Sequence, residues 1–208
     1  MHIEFIDLLR CPRPHEETWL VAAIDQMDGR LVVEGKLGCP MCGADYSIRN
    51  GVALFIEDVG PKAALVEQAG RSTAESSEII AAFLDLSSPG KIALLAGEFA
   101  ADSEAVARLT DSRIIALNSP RANGASDVVA AIHAASPLPL GARSLDGLAL
   151  DDRHSTPEML GQAARLLRPR GRLLAKAGVE LPPSFHELAR DQNHVVAEYL
   201  GELVALRR

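Results

Sequence analysis

Residues 158–178 read EMLGQAARLLRPRGRLLAKAG, and this stretch decides the fold. Leu160, Ala163, Ala164 and Leu167 recur at i, i+3, i+4 and i+7, one apolar face of a helix. Ser155, three residues before Glu158, predicts a capping box, with Pro157 tolerated in the first turn. Arg165 and Arg168 fall in the expected last turn, where cations suit the helix dipole. Pro169 then ends the helix, and Gly171 turns the chain into a buried strand over 172–177. A helix feeding a buried strand through a tight turn is half of a βαβ unit. The expected fold class is therefore α/β, an open parallel sheet with crossover helices.

Working outward, residues 91–97 (KIALLAG) form an apolar run that predicts another buried strand. A helix is expected over 99–109, then strands over 113–117, 127–134 and 144–150. A helix over 184–191 and a closing hairpin of 195–199 with 203–206 complete the pattern. Upstream, 77–86 (SEIIAAFLDL) reads as an amphipathic helix, preceded by a Gly/Pro-containing polar linker over 58–76. Before that the chain changes character. Residues 18–24 and 30–34 are β-type runs about Asp28-Gly29, and a last hairpin turns at Asn50-Gly51. The expected domains are 1–57, a small β-rich module, and 77–208, the α/β domain.

Hydrophobic residues make up 48% of the 208, but aromatics only 4%, so the core is aliphatic and alanine-rich. The net charge of −7 argues against a dedicated nucleic-acid binder. It leaves room for a local basic patch, for which Arg165, Arg168, Arg170, Arg172 and Lys176 are available. No apolar run approaches the ~20 residues of a membrane span. Residues 1–10 carry acids and no long apolar core, unlike a secretory signal. The expected location is the cytoplasm.

Three cysteines are an odd number for a disulfide framework, and clustered thiols in a reducing compartment read as metal ligands. Cys39 and Cys42 form a C-x2-C knuckle followed by Gly43. Cys11 and His15 can be brought across by the intervening hairpin. Four N/S donors with no open position describe a closed, structural zinc site, with His2 or water as the alternatives to His15. A segment of under about 60 residues gains most from such a staple.

LLRCPRPH and GCPMCGADYSIRNGVALF, over about residues 3–57, resemble the zinc-ribbon family of the tRNA-methyltransferase activator subunit. The second knuckle, with Tyr46, Ile48, Asn50-Gly51 and Val52, matches that pattern. At the first knuckle Pro14 stands where the family has its second cysteine, and His15 is one residue later. The remainder, 77–208, resembles the class I S-adenosylmethionine-dependent methyltransferase fold, which is Rossmann-like. KIALLAGEFA stands at the first strand and glycine loop, RIIALNSP at the second strand, and SPLPLGARSLDGLALDD along the fourth. LLRPRG stands at the leucine-proline-glycine-glycine turn before the fifth.

That resemblance implies S-adenosylmethionine as cofactor, held by Gly97, Glu98 and Asn118. Backbone amides of a glycine loop should approach such a ligand closely, yet only Gly97 remains of the usual glycines, and Glu98 and Phe99 add bulk. Asn118 stands in place of the acid that binds ribose hydroxyls. No catalytic residue is assigned; Asp151 or His154 could take a proton from a substrate, or form a polar loop with a helix cap. Two functions follow. One is a methyltransferase with weakened or lost cofactor binding. The other is a non-catalytic scaffold whose zinc module engages another protein or a second copy.

Overall fold

In the computed structural model, which describes residues 1–56, 74–119 and 126–201, the chain opens with a 3-10 helix, Ile3–Leu8. Four antiparallel strands follow: β1 (Val21–Asp28), β2 (Leu31–Gly38), β3 (Asp45–Arg49) and β4 (Val52–Leu54). Helix α1 (Ala74–Phe83) leads to β5 (Ile92–Ala96). A 3-10 turn, Phe99–Asp102, runs into α2 (Ser103–Thr110). Then come β6 (Arg113–Leu117), β7 (Val129–His133), β8 (Leu145–Ala149), α3 (Pro157–Leu166), β9 (Leu167–Lys176), β10 (Phe185–Arg190) and β11 (His194–Tyr199).

The eleven strands of the described residues form one sheet, in the order β1-β2-β3-β4-β7-β6-β5-β8-β9-β11-β10. From β7 to β9 the neighbours are parallel. Their sequence order, third-second-first-fourth-fifth, is that of a Rossmann-like sheet, with the order reversing at β5. β11 and β10 close one edge antiparallel. On the other side β4 pairs in parallel with β7, Val52 opposite Ala131 and Leu54 opposite His133. The four-stranded N-terminal segment thus extends the α/β sheet without a break. The linker expected over 58–76 lies outside the described residues up to 73, and α1 begins at Ala74.

Alternation along β5 sorts its side chains into two cores. Ala93 and Leu95 face α1 and α2, with Ile80, Leu84, Val106 and Ala107. Ile92, Leu94 and Ala96 face α3 and the N-terminal segment, with Met1, Phe5, Leu9, Leu160 and Ala163. The connection from β7 to β8 contains no helix. The N-terminal segment is laced to that connection: Arg10 N donates to Pro139 O at 3.0 Å and Gly141 N to Leu8 O at 3.0 Å.

Several expectations shift. The cap of α3 is Thr156, whose hydroxyl accepts from Met159 N, rather than Ser155. Ser155 instead ties Leu150 O to Lys176 N, joining β8 to β9. The helix ends at Leu166, before Pro169, and Arg168 already belongs to β9. The helix expected over 184–191 is β10. Its turn explains why: Asp191 Oδ1 accepts from Asn193 N and His194 N, both at 2.7 Å, and this Asx turn folds 185–199 into a hairpin. The run 203–206 lies outside the described residues.

Candidate metal centre and sheet crevice

The β1–β2 hairpin carries the chain from the Cys11 loop to the knuckle after β2. Cys11, His15, Cys39 and Cys42 converge there, with one ligating atom from each inside 4.8 Å of the others. In the knuckle Gly43 N donates to Cys39 O at 2.9 Å and Cys39 N to Ala44 O at 2.8 Å. Gly43 takes a φ of +67°, which a side chain would strain.

The spacing of the donors suits zinc. Tetrahedral bonds of about 2.3 Å to sulfur and about 2.0 Å to nitrogen place two sulfurs about 3.8 Å apart and sulfur and nitrogen about 3.5 Å apart. Cys11 Sγ and Cys42 Sγ lie 3.7 Å apart, and Cys39 Sγ and His15 Nε2 3.4 Å. The sulfurs are far beyond disulfide length. His15 Nδ1 is 2.7 Å from Glu16 O. A carbonyl only accepts, so Nδ1 carries the proton and Nε2 turns its lone pair to the cluster.

The sulfurs differ in their surroundings. Burial pushes the Cys39 thiol up, but the amides of Cys42 and Met41 aimed at its sulfur outweigh this and bring its pKa down to about 7. Burial holds the Cys11 thiol above its ordinary value. The Tyr46 hydroxyl lies 3.4 Å from Cys11 Sγ, and burial raises the phenol well above its usual range. Three thiol sulfurs and one imidazole, two of the cysteines buried, make a closed donor set that could hold a metal such as zinc. His2 is not in the cluster: its Nε2 lies 3.1 Å from Arg30 Nε, at the start of the first 3-10 helix.

At the carboxyl ends of the parallel strands the expected cofactor residues meet a second network. Gly97, after β5, has a φ of +58°, and a Cβ built there would lie 1.9 Å from Asp151 Oδ2. The same Oδ2 accepts from Glu98 N at 3.1 Å. Asp151 Oδ1 accepts from His154 Nδ1 at 2.6 Å and from His154 N at 3.0 Å. Asn118, after β6, donates Nδ2 to Ala134 O at 2.9 Å and accepts from Ala134 N at 3.1 Å. Its Nδ2 also lies 3.4 Å from His154 Nε2. The side chain of Glu98 is exposed, and Phe99 turns towards the His194 ring, centroids 5.9 Å apart. The bulk at the glycine loop comes from Asp151, not from Glu98 or Phe99. Asp151 and His154, read from the sequence as alternative proton acceptors or as parts of a polar loop, are paired with each other.

Burial pushes the Asp151 carboxyl up, while the bonds from His154 and Glu98 more than offset it, leaving the pKa below the ordinary value. A carboxyl lowered in the fold adds stability above its unfolded pKa, about 3.9, and loses it as pH falls through the folded value. Wild-type protein is expected to lose stability over that acid range more steeply than Asp151→Asn. Urea midpoints taken from pH 6 to pH 3 check this, and parallel curves would refute it.

No family model matches the chain, and no curated protein matches it. Among solved structures it is similar to the geranyl diphosphate C-methyltransferase of Streptomyces coelicolor A3(2), 14% identical with a TM-score of 0.43, covering 49% of this chain and 44% of that one. It is similar to the antibiotic-resistance methyltransferase Kmr, 18% identical with a TM-score of 0.40, covering 66% of this chain and 98% of that one. The [4+2]-cyclase SpnF is 18% identical with a TM-score of 0.44, covering 59% of this chain and 62% of that one. The chain spans under half the length of the geranyl diphosphate enzyme. No helix among the described residues is long and apolar enough to cross a membrane.

Proposed function

We propose that this protein is a scaffold built on a class I methyltransferase-like sheet, propped in cis by a zinc-ribbon module and without a working S-adenosylmethionine site. The reading rests on Asp151. Its carboxylate lies against Gly97, where a nucleotide-like cofactor needs bare backbone, and it occupies the Glu98 amide. Asn118, which would meet the ribose, is bonded at both ends of its amide to Ala134. The residues present do not fit the cofactor. The zinc module has its own support in the four converging donors. The activator family works by binding methyltransferases in trans. Here the β4–β7 pairing and the docking of the first 3-10 helix suit the same service within one chain.

Calorimetric titration of zinc-loaded protein with S-adenosylhomocysteine tests the reading. The expected result is no binding at millimolar ligand. Micromolar binding, weakened by Asn118→Ala, would overturn it and restore a methyltransferase. In that case the Asp151–His154 pair at 2.6 Å would be the first place to seek the proton acceptor.

A further inference from the structure

At its start β9 leaves the ladder. Leu145 pairs with Leu167 and Gly147 with Arg172, so residues 168–171 bulge out opposite one step of β8. In this bulge Arg170 has a φ of +69°, in the left-handed region that glycine enters without strain. The next residue is held to glycine by space: a Cβ on Gly171 would lie 2.9 Å from Arg168 O and 3.1 Å from Asp146 O. The backbone is thus turned so that Arg168, Arg170 and Arg172 gather on one cleft.

That cleft has a volume of about 200 Å³, and its charged lining is Asp85, Lys91, Asp146, Arg168, Arg170 and Arg172. The acids are already engaged. Asp146 receives Arg168 Nη1 at 2.9 Å on both oxygens and Ile92 N at 2.9 Å. Lys91 Nζ bonds to Asp85 O and lies 3.3 Å from Asp85 Oδ2. The side chains of Arg170 and Arg172 make no hydrogen bond and no close ion pair among the described residues, although Arg172 is near enough to help hold the Asp85 carboxyl below its ordinary value. Four cations therefore face two carboxylates, in a chain whose net charge is −7.

We propose that this cleft binds the phosphate group of a small anion, with Arg170 and Arg172 donating to its oxygens and Lys91 adding charge. Guanidinium forks match phosphate oxygens, and a hollow lined by cations concentrates small anions. The cleft takes a phosphate or diphosphate group rather than the backbone of a polynucleotide, which a chain of net charge −7 disfavours. It lies at the amino ends of β5 and β8, the opposite end of the sheet from the crevice at Gly97, and does not depend on the reading of that crevice.

The test is calorimetry on the full, zinc-loaded chain at low ionic strength, with inorganic diphosphate and with a nucleoside monophosphate. Binding of either in the micromolar range is expected; diphosphate alone marks a free anion, both mark a terminal phosphate. Losing one guanidinium should weaken binding about tenfold, in Arg172→Ala and in Arg170→Gly. Arg170→Gly also relieves the left-handed backbone, so its melting temperature should hold or rise, which separates lost binding from lost fold. No heat at millimolar anion, or equal affinity in both variants, would refute the proposal. Tighter binding of a single-stranded oligonucleotide, abolished by the same variants, would overturn it in favour of a polynucleotide.

Discussion

Stripping zinc with a strong chelator is expected to lower the melting temperature by about 10–20 °C, as is Cys39→Ser. Structural zinc contributes about 10–16 kcal/mol of apparent binding free energy in peptides that fold only around it. Here part of the module is held by other means: Phe5, Leu9, Leu37 and Ile48 are buried in the core it shares with α3. An expected loss of about 5 kcal/mol converts to that shift at about 2–4 °C per kcal/mol for a chain of this size. The free thiols left behind would include Cys39, whose pKa of about 7 gives it thiolate character at neutral pH. The single tryptophan, Trp19, lies in this module with the Arg10 guanidinium 4.3 Å over its ring, so its fluorescence reports locally while far-UV circular dichroism reports the whole sheet. Because β4 joins β7, the two signals should melt together, before and after chelation. A purified protein without zinc, unmoved by chelator, would end the zinc proposal. Separate transitions would divide the chain into the two domains expected from its sequence.

The second large effect concerns Gly97 and Asp151. Gly97→Ala is expected to cost about 3 kcal/mol, part from a side chain at φ +58° and part from a methyl driven 1.9 Å from Asp151 Oδ2. Asp151→Ala should cost about 2–3 kcal/mol, since Glu98 N and both nitrogens of His154 that now donate to it lose their acceptor. The double variant should cost clearly less than the sum, by about 1–3 kcal/mol, because removing the carboxylate removes the clash. Urea unfolding of the four proteins closes this cycle. Strict additivity would mean that Asp151 does not lie against the loop, and the closed-crevice reading would fall with it.

The convergence of Cys11, His15, Cys39 and Cys42 was legible because most of its signal is local. A C-x2-C knuckle followed by glycine sets its own geometry, and His15 needed only the β1–β2 hairpin to arrive. The contact of Asp151 with the glycine loop was not legible. Glu98 and Phe99 were the bulky residues in view, yet the side chain that closes the loop comes from Asp151, on the far side of three strands of sequence. The failure at β10 has the opposite cause. A turn at Asp191–His194 overrode a helical pattern because every residue of β10 but Leu188 gains a partner in β11, which no count of propensities includes.

By itself the sequence determined what depends on neighbours along the chain. These are the aliphatic runs that become parallel strands, the helix-then-strand unit at 157–176, the thiol knuckle, and the acidic balance. Only the tertiary structure decided what depends on neighbours in space. It joined the N-terminal strands to the α/β sheet through β4 and β7, laid Asp151 on Gly97, and bulged β9 so that three arginines share one cleft. The physical reason is one of range. Periodicity and turn chemistry act over a few residues, whereas sheet register and side-chain contact are set when distant segments bury the same surface, and their partners carry no mark in the local pattern.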